Sequence, residues 1–486
     1  MGSEMCIRDR AHFAFKLAKE YNDGYAQYLG RELFDSGQNT QAVYWTYILW
    51  YSDEVTPIPP DDLPATHHFD DMDIVSMRSD WSGSESAIQF KCGPYTGHKA
   101  LELNTTQNPI VDWGGGHAHP DAAHFSVYGY GDFQLIDDTY SHKFTAFHNS
   151  LLINNKGQIG EGSVWFKAQD AEKADSAPRI TKVESGDTYD YTVGDATKAY
   201  SNTTGLTKFK RHLLYLKPDV LIVADDIAST IPSDLELRFF PKAQKAIAQS
   251  DGSYYLQNTH SKLLVTPLQT DGAEFAPEVL TLYSGKENTT MSTPSVTNDS
   301  LAMRAVKRGA DSWVNVTAFS WSSNESTPVS VKMTGSGNKM TFDVLGEQVT
   351  LDLGTEKVTL QKERAAETEL WIRGKNHDGI RPLADGAEAY LPAREFAAEM
   401  GGAVEWRQEE QTARITLGDK VCDFAMEQTG VRMEGDTMYL RTDAIESQYD
   451  LIVRYNQNAN RVSVVDLPSS GSSAQAELVD ILIDGK

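Results

Sequence analysis

Three hydrophobic patterns follow one another along the chain. Residues 11–34, AHFAFKLAKEYNDGYAQYLGRELF, place apolar side chains at helical spacing, and residues 39–52, NTQAVYWTYILWYS, repeat the pattern with an aromatic-rich face. Asn39 or Thr40 is the candidate N-cap of the second helix. The prolines of VTPIPPDDLP, residues 55–64, end the helices. From about residue 83 to 360 the period shortens. Runs such as SAIQFKC, KALELN, FKRHLLYL, DVLIVADDI, LELRFF, KLLVTPL, MTFDVL and QVTLDL alternate or are short and apolar, with Gly, Asn, Asp, Ser and Pro between them. SGDTYD from Ser185 and KPDV from Lys217 read as hairpin turns. Many short strands without long helices between them predict a large antiparallel β-sandwich. Residues 368–467 read strand, helix, strand, turn, strand, with the helix PAREFAAEMGG carrying Pro392 in its first turn and Gly401-Gly402 past its end.

The expected fold class is therefore mainly β: helices over 11–64, an antiparallel β-sandwich over 65–362, and a small α+β domain over 368–467. QKERAAETELWIRGK is a charged boundary before the small domain. Residues 468–486, with PSSGSSAQ and the apolar run LVDILI, form a linker and tail. Residues 1–10, MGSEMCIRDR, lack the apolar stretch of a signal peptide and read as a non-native stub.

Composition removes several function classes. No apolar run approaches the roughly 18–20 residues that span a bilayer. The three cysteines are odd in number and far apart, which argues against a disulfide framework and a cysteine-based zinc motif. A formal charge of −25 argues against nucleic acid. It is mildly unfavourable for a polyanionic ligand too, although screening within about 10 Å lets a local basic cleft dominate.

The chemistry concentrates in Gly114 to Gln158, GGGHAHPDAAHFSVYGYGDFQLIDDTYSHKFTAFHNSLLINNKGQ. The window holds His117, His119, His124, His142 and His148, with Asp121, Asp137 and Asp138. FSVY and FQLI, separated by Gly129-Tyr130-Gly131-Asp132, predict a hairpin that sets Asp137 near the end where His119 lies. FHNSLLIN, Phe147 to Asn154, is expected as a third strand bringing His148 to that end. His119, Asp137 and His148 make a reasonable Zn²⁺ ligand set, with Asp138 an equal candidate on spacing. His117, two residues from His119, shares its face on an extended backbone and would face the cleft. His124 and His142 are expected to be structural. Arg238 and Lys156 could contact an acidic sugar, or be solvated surface charges.

GGGHAHPDAAHF, the G-x-F-x-L-I-D run and FHNSLLINNKGQ, with RSDW at 78–81 and FKCG at 90–93, resemble the sandwich domain of the heparinase II/III and alginate lyase superfamily. The resemblance covers about residues 11–360 and is strongest over 76–160. It implies a polysaccharide lyase acting on uronate-containing glycans, with a structural zinc on His119, Asp137 and His148 and His117 in the catalytic cleft. It also implies that residues 11–64 are the last helices of an α/α toroid. In that family the toroid supplies an Asn or His and a Tyr, and these positions have no counterpart here. Tyr140, between Asp137 and His148, is the nearest substitute, with a packed aromatic at a strand end as its other reading. YLPAREFAAEMGGAVEW and YLRTDAIESQYDLIVRYNQNANRVSVVD resemble the copper amine oxidase N-terminal-like stalk domain, which carries no copper implication and suggests attachment to a cell-wall or envelope component.

The expectation is thus a truncated polysaccharide lyase with an acidic polysaccharide substrate, extracellular or in the envelope of a bacterium, its signal peptide lost with the missing N-terminus. A non-catalytic glycan-binding or envelope protein with a structural zinc is the alternative. A cupin-like metalloenzyme fits G-x-H-x-H but lacks the second cupin motif.

Overall fold

The computed structural model describes residues 11–36, 44–106, 118–136, 144–161, 177–186, 188–284, 296–344, 347–360, 368–373, 375–377, 379–435, 437–449, 451–456 and 461–466. They divide into two compact units, one up to Pro64 and one over Ala65–Val465. Asn39 and Thr40 lie outside the described residues.

The first unit is helical. The periodicity over 11–34 resolves into two helices, α1 (Ala11–Tyr21) and α2 (Gly24–Asp35), followed by α3 (Tyr44–Trp50). The break is local chemistry. Asn22 takes φ 51°, and the Asp23 carboxylate caps α2 by accepting the backbone N–H groups of Tyr25 at 2.9 Å and Ala26 at 3.1 Å. Ala11, Phe15 and Tyr47 pack with Leu33, Phe34 and Tyr51, while Phe13, Leu17, Leu29, Trp45 and Ile48 are each at least half exposed.

The second unit is mainly β. β1 (Thr66–Phe69), β2 (Ile74–Arg78), β3 (Ala87–Lys91), β4 (His124–Gly129) and β5 (Asp132–Leu135) form an antiparallel sheet in chain order. A ten-stranded sheet lies behind it. It comprises β6 (Leu151–Ile153), β7 (Arg179–Ser185), β8 (Tyr189–Asp195), β9 (Leu206–Leu216), β10 (Val220–Phe239), β11 (Ala246–Ala248), β12 (Tyr254–Gln257), β13 (Ser261–Gln269), β14 (Glu274–Ser284) and β15 (Val296–Ser323). A third sheet follows, of β16 (Val331–Ser336), β17 (Lys339–Val344), β18 (Glu347–Asp352) and β19 (Lys357–Leu360).

The ten-stranded sheet is covered on both faces. Leu213, Tyr215, Leu221 and Val223 pack against Phe90, Phe125 and Val127 of the five-stranded sheet. Their neighbours Leu214, Leu216, Val220, Ile222 and Ala224 pack against Met340, Phe342, Val349 and Leu351 of the third sheet. Successive side chains of a strand point to opposite faces, so a strand covered twice reads as a continuous apolar run. That is why HLLYL and VLIVA do not alternate.

Three expected elements differ. KALELN, expected as a strand, lies in helix α4 (His98–Thr106), whose residue Lys99 gives its backbone N–H to the Asp71 carboxylate at 2.7 Å; Ala, Leu and Glu are strong helix formers. DVLIVADDI and LELRFF are one strand, β10, carried through register shifts between Ala228 and Leu235. The expected strand Phe147–Asn154 contracts to β6, preceded by a 3₁₀ turn over Thr145–Phe147, and pairs with β10 rather than with the hairpin.

Residues 369–466 carry β20 (Glu369–Ile372), β21 (Lys375–Asn376), β22 (Leu383–Asp385), β23 (Glu388–Pro392), α5 (Ala393–Glu399), β24 (Ala403–Arg407), β25 (Thr412–Leu417), β26 (Lys420–Ala425), β27 (Val431–Glu434), β28 (Thr437–Arg441), α6 (Thr442–Glu446), β29 (Leu451–Asn456) and β30 (Arg461–Asp466) around a separate core. β20 and β30 pair in parallel and close it. Pro392 stands at the N-cap of α5, one position before the expected site, and Gly401 takes φ 74° past its end.

Arg461 of β30 ties this segment to the sandwich. It is 1% exposed, lies over the Trp371 ring at 4.0 Å, and faces Asp80 at 3.7 Å and Asp219 and Glu369 at 3.6 Å. Trp371 packs on Tyr130 at the hairpin tip, whose hydroxyl donates to Asp219 at 2.5 Å. Burial pushes the Asp219 carboxyl up to about 6, with Arg461 and hydrogen bonds from Tyr130 and Ser86 pulling the other way. The folded state therefore keeps a proton that the unfolded chain, near 3.8, has released. Asp219's contribution to stability is full below 3.8 and is lost as pH rises through about 6. Replacing Arg461 by Met should lower stability by about 3–5 kcal/mol, the range for uncompensated buried charge. It should also extend the loss to higher pH, because Asp219 loses its counter-charge. Thermal melts from about pH 4 to 8 check both effects.

Candidate functional site

β4 and β5 meet at Tyr130 and Gly131, with φ 55° and 81°, so that Gly129 faces Asp132. Positive φ at both central positions defines the two-residue turn whose twist suits paired strands. After Leu135 the chain leaves β4, and the Ile136 N–H donates to Phe240 O at 3.0 Å.

His119 lies five residues before β4, and His148 caps the 3₁₀ turn that leads into β6. One therefore enters the five-stranded sheet and the other the ten-stranded sheet. The sandwich brings them together: His119 Nδ1 and His148 Nε2 are 3.3 Å apart, with ring centroids at 5.2 Å and 70°. They are 4% and 0% exposed. His124, the first residue of β4, sets its ring 5.4 Å from that of His148. Its Nδ1 accepts the Asn149 N–H at 3.0 Å, so a neutral His124 carries its proton on Nε2.

Buried amides hold this corner. Gln158 reads the Ala122 peptide in both directions, its Oε1 accepting the Ala122 N–H at 3.0 Å and its Nε2 donating to Ala122 O at 2.8 Å. The Thr145 hydroxyl donates to Pro120 O at 3.0 Å and accepts the Gln158 N–H at 2.8 Å. Asn149 Nδ2 donates to Phe125 O at 2.7 Å, and its Oδ1 accepts the Phe240 N–H at 2.7 Å. Asp121 pairs with Lys91 at 2.6 Å. Burial alone would raise its carboxyl, but Lys91, helped by His148 and His119, outweighs burial and draws it below the ordinary range.

The histidine pair fits a zinc ion on one measurable count. Two imidazole nitrogens bound at about 2.0–2.1 Å in a tetrahedral shell stand about 3.3–3.4 Å apart. The observed 3.3 Å matches that spacing, and equally a single proton shared between the rings. Among the described residues no group of three His, Cys, Asp or Glu is gathered for a metal. Asp137 and Asp138, the third-ligand candidates, lie outside the described residues, as do His117, Tyr140 and His142.

The heparinase II/III-like, C-terminal family model matches residues 61–316, over half the chain. The chain belongs to the heparinase II/III-like family. Residues 372–456 of this heparinase II/III-like chain match the copper amine oxidase N-terminal domain. Among solved structures, the heparan sulfate lyase HepC from Pedobacter heparinus is similar at 12% identity and TM-score 0.48, over 74% of this chain and 48% of that one. The chondroitin AC lyase of Streptomyces coelicolor A3 is similar at 11% identity and TM-score 0.40, over 89% of this chain and 54% of that one. The chain spans about half the length of each of these two lyases.

Of the residues singled out in this heparinase II/III-like sequence, the structure joins His119 to His148 and adds His124 beside them. Arg238 is neither a sugar contact at the surface nor a solvated charge. It is 8% exposed, its Nε pairs with Glu236 at 2.6 Å, and its Nη1 donates to Ala146 O at 2.8 Å, bracing the turn before His148. The period of two places Glu236 and Arg238 on one face of β10. Lys156 is exposed. Asn149 and Gln158 do not stand out in the sequence; the available signal is the polar Asn149 at the head of the apolar run in HNSLLI, and Gln158 lies in the polar stretch NNKGQ. Asn149→Ala removes a partner from each of two buried backbone groups and should cost about 2–6 kcal/mol, at 1–3 per group. Denaturant unfolding of the variant measures it.

Proposed function

We propose that the chain is the sandwich-bearing part of a polysaccharide lyase that cleaves uronate-containing acidic glycans by β-elimination, outside the cell or in its envelope. The match of the heparinase II/III-like family over residues 61–316 is the observation that supports this reading most.

In such a reaction a base takes the C5 proton of the uronate and the C5–H electron pair becomes a C4–C5 double bond. The C4–O bond breaks, and its oxygen leaves with a proton. Negative charge passes through the uronate carboxylate, so donors or cations facing it lower the barrier. His117 is assigned to neutralising that carboxylate or to proton transfer, and Tyr140 is the candidate for the acid or base. Zinc, held by His119, Asp137 or Asp138, and His148, would supply a cross-link between the two segments. The burial of both histidines supports a structural ion over a reactive one. Through its copper amine oxidase N-terminal-like domain the protein would attach to a cell-wall or envelope component.

Purified chain should carry about one zinc, read by mass spectrometry, with occupancy falling tenfold or more in His119→Ala and His148→Ala. Unchanged occupancy in both variants would remove the ligand assignment. Incubation with heparan sulfate, chondroitin sulfate, hyaluronan and alginate should release unsaturated uronate from at least one. The carboxyl-reduced form of that polymer should give none. Binding without product would mark a glycan-binding module, and neither binding nor product would overturn the reading.

A further inference from the structure

Arg211 lies on β9, cross-strand from Asp225 on β10, and both are 0% exposed. Its Nε donates to Asp225 Oδ1 at 2.7 Å and its Nη2 to Oδ2 at 3.0 Å, so the carboxylate fixes the guanidinium plane through two parallel bonds. The third nitrogen, Nη1, is then aimed away from Asp225. It donates to the carbonyl oxygens of Ala123, at 2.7 Å, and of Asn149.

Those two carbonyls lie next to the histidines. Ala123 precedes His124, and Asn149 follows His148, from which the chain enters β6. The two segments are 25 residues apart in sequence, and one nitrogen bridges them. Ala123 takes φ 64°, a conformation that a residue with a Cβ rarely adopts, so local preference does not set the direction of its carbonyl. The rings of Phe125, Phe209 and Phe239 stand 5.4–5.7 Å from the guanidinium carbon and wall off the pair. The Asn149 N–H that locks His124 lies on the residue whose carbonyl Arg211 holds.

We propose that Arg211, oriented by Asp225, is a positioning residue that fixes the spacing and tautomers of the His119–His124–His148 cluster through the carbonyls of Ala123 and Asn149. Nothing in its contacts gives it a direct role toward substrate. A lysine in its place has one ammonium point charge and cannot reproduce the fork that spans a carboxylate and two carbonyls.

Two readouts test this, and only the second rests on the zinc reading above. Histidine-selective ¹⁵N spectra of metal-free protein should show His124 with Nδ1 unprotonated and Nε2 protonated, and Arg211→Lys should lose that signature. Zinc affinity, measured by chelator competition, should fall about 10–100-fold in Arg211→Lys, the range for residues that orient metal ligands. The control is Val223→Ala, a buried truncation on β10 that lowers the melting temperature and whose apolar side chain makes no hydrogen bond to either carbonyl. It should keep the signature, and its zinc affinity should stay within about twofold. If Arg211→Lys does not fold, Asp225→Asn, which keeps the volume but weakens the fork, carries the same comparison. Retention of the His124 signature in the folded Arg/Asp variant overturns the proposal, as does equal loss in Val223→Ala. A wild type that binds no zinc while Arg211→Lys loses the signature removes the metal reading and leaves Arg211's role standing.

Discussion

A sheet covered on both faces has no solvent side on which to leave a polar group, and this constraint organises the second unit. Each polar side chain in the middle of β9 and β10 must find its partner inside the protein. Arg211 meets Asp225 on the face toward the five-stranded sheet. His212, one residue on, points to the other face and meets the Tyr191 hydroxyl at 2.8 Å. Burial, with Lys210 and Lys208 nearby, draws His212 down to about 3, so it is neutral at every ordinary pH. The face toward the five-stranded sheet has a polar corner where β4 begins and β6 begins, and the histidine pair sits there.

The main architecture was legible because it is written in local period and punctuation. KPDV and Tyr130-Gly131 mark turns, PAREFAAEMGG marks a helix, and alternation in FSVY marks a half-buried strand. The second covering layer was not legible, since a strand packed on both faces and a short buried helix share the same apolar run. KALELN was misassigned for a related reason: six residues cannot separate the two periods, and its cap, Asp71, lies 28 residues upstream of Lys99. The pairing of His119 with His148 was legible as a cluster in sequence. The route was not: His148 arrives on the partner sheet rather than on a third strand of the hairpin. Arg211, Asp225 and Gln158 gave no sequence signal specific to the site, because their role depends on which backbone groups the fold brings beside them.

The C-terminal segment shows the same logic at an edge. Its parallel β20–β30 pair places Arg461 over Trp371 and among three carboxylates, two of them from the sandwich. A buried guanidinium of this kind is weak as a source of net stability but demanding in geometry. It orients the small domain against the hairpin tip.

The proposed zinc site takes His119 and His148, 3.3 Å apart, as two corners of one tetrahedral metal shell. Anomalous diffraction from zinc-loaded crystals, collected on both sides of the zinc absorption edge, tests it directly. The account predicts one peak about 2.0–2.1 Å from both His119 Nδ1 and His148 Nε2, with a carboxylate from the segment after β5 as a further ligand. A peak bonded to only one of the two histidines, or a peak elsewhere with the 3.3 Å contact intact, would contradict it.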